Sequence, residues 1–221
     1  MFFLEAPQVR ELSRFTSLPE RFRTRTQSVW ADANRGGRAT DSFLEGPVFD
    51  RAGNLYFTDQ GQTGLHDPTG RLYRLRPSGQ LDLLLANVPS PNGVCLSPDE
   101  SLLYLAVTRG NCVWRVPLLA DGSIAKVSQF FTSYGPSGPD GLAADSEGRV
   151  LVANPGLGYV WVLNARAEPV WVLRGPAGAS TTNIAFGGPE RKRLFVTDST
   201  HGDVLYADLE VAGLPLHRKA G

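Results

Sequence analysis

Four residues of this sequence offer hard oxygen donors at a near-constant interval: Glu45, Asn92, Asp140 and Asn183, separated by 47, 48 and 43 residues. Two carboxylates and two amide oxygens suit Ca²⁺, which takes about 6 to 8 oxygens in irregular geometry, better than Mg²⁺ with its strict octahedron. Zinc-like chemistry finds no support, because His66, His201 and His217 are scattered and Cys95 and Cys112 lie in apolar, strand-like runs. Taken singly, each residue is most simply a turn former, since Asn and Asp before Gly are common in turns. Their shared phase in a repeat is what sets them apart.

The surrounding text defines that repeat. EGPVFD from Glu45, PNGVCLSPD from Pro91, PDGLAAD from Pro139 and TNIAFGG from Thr182 each open a unit of short strands and Gly/Asp turns. Periods of about 40 to 50 residues with four strands per unit are the signature of β-propeller blades. LYFTD alternates as a pleated strand does, with Leu55, Phe57 and Asp59 on one side and Tyr56 and Thr58 on the other. Third strands align at LYRL, VWRV, VWVL and VLYA, starting at residues 72, 113, 160 and 204. The fold class expected is therefore all-β: a propeller of four-stranded blades with four blades present, at about 43–90, 91–138, 139–180 and 181–221. In such a ring the first strand of each blade lines the axis, so Glu45, Asn92, Asp140 and Asn183 meet at one mouth.

Residues 1–42 stand outside the repeat. VRELSRFTSLPERF nevertheless resembles KVSQFFTSYG at the end of the second unit, while the tail LPLHRKAG is weak as a fourth strand. The expectation is that residues 9–19 supply the outer strand of the last blade and clasp the ring; the other outcome is an open arc, which would pair its edges with a second chain.

Composition bounds the rest. The 221 residues allow one domain with a sizeable core, and 22 basic against 22 acidic residues leave no bulk field to draw nucleic acid or an anionic membrane. No run approaches the ~20 apolar residues of a membrane span, and MFFL is too short for a secretion signal before Glu5 ends it, so the cytoplasm is the expected compartment. The two cysteines read as buried small hydrophobes. There is no GxSxG elbow, and GQTG at 61–64 lacks the lysine and helix of a phosphate cradle. RFRTRTQ at 21–27 reads as a solvated edge, Asp59, Asp145 and Asp198 as turn or hydrogen-bonding residues, and Trp114, Trp161 and Trp171 as inter-blade core.

WADANRGGRATDSFLEGPVFDRAGNLY, DQGQTGLHDPTGRLYRL, VPSPNG, GGPDGLAAD and TTNIAFGGPERKRLFVTDS together resemble the SMP-30/gluconolactonase/LRE-like family of calcium-dependent lactonases, which are six-bladed propellers. The resemblance implies that Glu45, Asn92 and Asp140 are the three protein ligands of a Ca²⁺ ion or another divalent cation; Asn183 is not among those ligands, and its repeat position alone makes it a candidate for lining the pocket. It also implies hydrolysis of small lactones such as sugar lactones, the metal polarising the carbonyl and Asp140 activating water. The chain is short by two blades: within GPVFDRAGNLYFTDQGQTG the left half resembles the family's first blade and the right half its third. In the family the absent blades carry an Asn that helps to hold metal or substrate. That loss keeps a second reading open, a non-catalytic propeller with a structural metal or a scaffold role.

Overall fold

The computed structural model describes residues 19–23, 44–59 and 68–215. Within them lie four antiparallel sheets, each formed by strands consecutive in sequence. The first blade contains β1 (Leu44–Phe49), β2 (Leu55–Asp59), β3 (Gly70–Leu75) and β4 (Leu81–Val88), and the second β5 (Pro91–Leu96), β6 (Leu102–Val107), β7 (Cys112–Pro117) and β8 (Ser128–Thr132). The third contains β9 (Leu142–Ala144), β10 (Val150–Asn154), β11 (Tyr159–Leu163) and β12 (Pro169–Arg174). The fourth contains three strands among the described residues, β13 (Thr181–Gly187), β14 (Arg193–Asp198) and β15 (Asp203–Asp208).

Turn chemistry sets these hairpins. Asp50 accepts a hydrogen bond from Asn54 N at 2.8 Å and another from the Asn54 amide at 2.7 Å, which closes the β1–β2 turn. Asp145 does the same between β9 and β10, accepting from Arg149 N at 3.0 Å and Arg149 Nε at 2.6 Å. Asp145 thus holds the turn position expected of it, and Asp50 is a second residue of the same kind.

Blades pack face to face through apolar side chains. Tyr56 and Leu72 of the first meet Val94, Leu103 and Leu105 of the second. Cys95, Tyr104 and Val113 of the second meet Leu142, Val150 and Val152 of the third. Leu151, Ala153 and Val160 of the third meet Ile184, Leu194 and Val196 of the fourth. Among the described residues no such cluster joins the fourth blade to the first, so the four sheets form an open arc of a propeller.

Burial patterns along the second strands record the same fact. β10 is buried at every position because blades cover both its faces, whereas β14 alternates strictly, with Leu194, Val196 and Asp198 buried and Arg193, Phe195 and Thr197 exposed. A sheet covered on one side only must alternate. The free face of the first blade is not bare: Phe22, in a short 3-10 turn, packs edge-on against Tyr73 with ring centroids 5.3 Å apart, and Arg71 donates to Phe22 O at 2.5 Å. The clasp strand expected at residues 9–19 falls, Pro19 apart, outside the described residues. Both cysteines are free and buried. Trp114 and Trp161 pack between blades as expected, but Trp171 lies on the outer strand β12, 37% exposed with the Arg149 guanidinium over its ring. Among the described residues no helix is long and apolar enough to cross a membrane.

Candidate active site

The inner strands β1, β5, β9 and β13 run side by side around the axis, and their first residues lie at one end of it. What brings those residues close is glycine. A Cβ on Gly93 would stand 2.5 Å from Asp140 O, and one on Gly141 2.4 Å from Asn183 Oδ1. Neither distance is tolerable, so the Asn-Gly and Asp-Gly pairs serve close approach between blades rather than turns alone. Through the space so gained, Gly93 N donates to Asp140 O at 3.2 Å and Gly141 N donates to Thr182 O at 2.9 Å.

Threonines fasten neighbouring blades at the same level. Thr58 Oγ1 lies 3.2 Å from Glu45 O and 3.1 Å from Asn92 O, donating across the first pair of inner strands. Thr108 Oγ1 donates to Pro139 O at 2.8 Å, just before Asp140. Thr181 Oγ1 lies 3.1 Å from Asn154 O and 2.7 Å from Tyr159 O. Sequence reasoning passed over these hydroxyls; the one available signal is Thr at the end of the second strand, in LYFTD and LAVT.

Three of the four expected donors gather here. Burial and, after it, the charge of Glu45 push the pKa of Asp140 up to about 7, against a hydrogen bond from the Asn92 amide that works in the opposite direction. Burial likewise raises Glu45 above the ordinary glutamate value. Two carboxylates and one amide oxygen thus share one partly desolvated spot. Among the described residues no group of three or more His, Cys, Asp or Glu is placed to hold a metal ion.

Asn183 stands differently. The repeat alignment puts it at the phase of Glu45, Asn92 and Asp140, but strand register puts Thr182 there. Thr181 pairs with Asp198, Asn183 with Thr197 and Ile184 with Val196, so Thr182 is the bulged residue, and it is Thr182 O that receives the bond from Gly141 as Asp140 O receives one from Gly93. Asn183 occupies the position where the other blades have glycine. Its Oδ1 accepts from Ile184 N at 2.8 Å, and its side chain lies against Gly141.

Below this mouth lies a cavity of about 360 Å³ between the inner strands, with Glu45, Asn92 and Asn183 at one end and Arg51, Pro98 and Glu100 at the other. Leu214 and Pro215 close part of the far end, since the chain after β15 crosses to the third blade, where Leu214 N donates to Ala144 O at 3.1 Å.

Residues 13–200 match the model of the SMP-30/Gluconolactonase/LRE-like region. The chain belongs to this family. Among relatives of the SMP-30/gluconolactonase/LRE-like protein, a gluconolactonase of Zymomonas mobilis is 31% identical over 196 residues, covering 80% of this chain and 53% of that one. Lactonase drp35 of Staphylococcus saprophyticus is 33% identical over 136 residues, 59% of this chain and 41% of that one. Among solved structures, a calcium-binding protein, regucalcin, from Agrobacterium tumefaciens superposes with a TM-score of 0.70 at 27% identity, over 83% of this chain and 71% of that chain. The chain spans about half the length of the curated relatives it matches.

Proposed function

We propose that this SMP-30/gluconolactonase/LRE-like chain hydrolyses a small lactone at the axial mouth, with a divalent cation, Ca²⁺ foremost, held by Glu45, Asn92 and Asp140. The observation that carries the reading is the gathering of those three side chains at one spot, where Glu45 and Asn92 also line a cavity of about 360 Å³. The relatives named gluconolactonase and lactonase, and the calcium-binding neighbour, support it.

The donors present fit such a cation. All are hard oxygens, and the repulsion between Glu45 and Asp140 is of the kind that a divalent charge offsets. When bound, the cation supplies polarisation of the lactone carbonyl and stabilisation of the charge developing on its oxygen. Asp140 takes a proton from water as the oxygen of that water bonds to the carbonyl carbon. The ring C–O bond then breaks, and the proton passes from Asp140 to the departing alkoxide, leaving a hydroxy acid. Asn92, through its amide hydrogen bond, fixes the orientation of the Asp140 carboxyl.

Purified protein should open glucono-δ-lactone, followed by pH-stat, in a reaction abolished by a chelator and restored by Ca²⁺. Asp140→Asn should lose roughly 10²-fold or more; a fully active Asp140→Asn variant would sink the assignment. The open ring and the half-length span favour a second reading, a structural cation without turnover. It predicts a Ca²⁺-raised melting temperature with no lactone hydrolysed.

A further inference from the structure

A second cavity, of about 530 Å³, lies between the third and fourth blades and shares no lining residue with the axial one. Pro155, Leu157 and Tyr159 wall one side, and the connection from β12 to β13, Arg174 to Ser180, walls the other. Strand pairing puts it at the same end of the arc as Asp140. Asp140 N donates to Ala153 O at 2.9 Å, two residues before Pro155, and Gly141 N donates to Thr182 O, two residues after Ser180.

Among the described residues that line this cavity, Arg174 is the one that carries a charge. Its guanidinium lies over the Tyr159 ring, 5.0 Å from the centroid, and meets no carboxylate among the described residues, whereas Arg149, Arg166 and Arg193 of the same two blades each hold one. Stacking on an aromatic ring leaves the N–H fork of an arginine available to a planar, two-oxygen partner. The loop beyond Arg174 adds donors. It is a turn closed by Ala179 N donating to Pro176 O at 3.0 Å, with Gly178 at a φ of 79°. The N–H groups of Ala177 and Gly178 have no protein partner among the described residues, and the hydroxyls of Ser180 and Thr200 are likewise unengaged. Free N–H groups of a turn form an anion-binding concavity, and a guanidinium beside them supplies the charge. Asp198, next to this loop, does not cancel that charge at the cavity: its side chain is wholly buried, and it is engaged by Ser180 N, Thr200 N and His201 Nδ1.

We propose that this cavity binds a small molecule through an oxyanion group, carboxylate or phosphate, with Arg174 as its counter-charge and the amides of Ala177 and Gly178 as further donors. The volume suits a small-molecule site. The site stands apart from the hydrolytic reading, since it needs neither the cation nor turnover. ¹H–¹⁵N spectra of the protein test it, recorded in titrations with inorganic phosphate and, separately, with acetate, each matched by chloride at equal ionic strength. The Ala177 and Gly178 amides should shift along a saturating curve. Saturation by phosphate alone marks a phosphate ester as the ligand, by acetate alone a carboxylate, and by both an oxyanion of either kind. Arg174→Ala and Arg174→Gln, changes at an exposed side chain with the fold checked by melting temperature, should weaken that binding by roughly tenfold or more. Amides that do not shift, shifts that chloride reproduces, or a dissociation constant unchanged in both variants would overturn the site and leave the hydrolytic reading untouched.

Discussion

At Gly93 a single methyl group stands between two functions of the backbone, packing against the next blade and placing Asp140. The Cβ of Gly93→Ala would lie 2.5 Å from Asp140 O and 2.7 Å from Leu142 N, both backbone atoms that cannot swing aside. Overpacking of this kind costs about 1 to 3 kcal/mol. Urea unfolding should show that loss, and because Asp140 must shift to relieve it, the Ca²⁺-induced rise in melting temperature should shrink as well. Asp140→Asn should behave in the opposite sense without metal. The raised pKa of Asp140 means that folding favours its protonated form, so this contribution to stability is present below pH ~4, the unfolded aspartate range, and is lost as pH rises through about 7. At pH 8 in chelator, Asp140→Asn should therefore melt higher than the unmodified protein, yet gain nothing from added Ca²⁺. A differential scanning fluorimetry series with and without Ca²⁺ checks both halves, and equal Ca²⁺ responses in the two proteins would refute a ligand role for Asp140.

The fourth blade holds its own hairpin differently from the others. Asp198, at the end of β14, accepts from Ser180 N at 2.9 Å and Thr200 N at 3.0 Å and lies 2.6 Å from His201 Nδ1, a set of contacts that depresses its pKa to about 2 and raises that of His201. The histidine's contribution is complete below pH ~6.5, where the unfolded imidazole is protonated, and disappears as pH rises through its folded value; that of Asp198 is present above pH ~4 and lost towards pH 2. The melting temperature should thus fall between pH 6.5 and 8.5 by an amount that His201→Gln removes, and an identical slope in the variant would refute the pairing. Elements of this kind mark the limit of what the sequence displays. Strand positions, the propeller class and the approach of Glu45, Asn92 and Asp140 were readable because alternation, Gly/Asp turns and a repeat of nearly constant length encode them directly. The register of β13 was not, because TNIAFGG aligns with PNGVCLS by one residue too far: an Asn in the right-looking place hides a bulge at Thr182. The opening of the ring was unreadable for a related reason. Apolar residues such as Phe195 look the same in the text whether a blade covers them or water does.

For the molecule as a whole, an open arc makes its four blades unequal. The second and third are covered on both faces, while the outer face of the fourth presents Phe195 at 38% exposure and Val204 at 66%. Two substitutions on opposite faces of that one blade separate an arc from a closed ring. Leu194 is fully buried against the third blade, so Leu194→Ala removes packing in either geometry and should cost about 2 to 5 kcal/mol. Val204→Lys places a charge on the outer face. If that face is free, the change lies within about 0.5 kcal/mol, as for surface positions generally; against a packed neighbour it would bury an unpaired ammonium and cost several kcal/mol. Equilibrium denaturation of the two variants therefore reads the topology without a ligand or an assay. The same inequality orders amide exchange, since local opening is easiest where few apolar contacts must break. Exchange should be slowest in β6 and β10 and fastest in β15, whose outer edge has no partner strand among the described residues. Protection of β15 equal to that of β6, together with a large penalty for Val204→Lys, would mean that the fourth blade is covered in solution and that the arc closes.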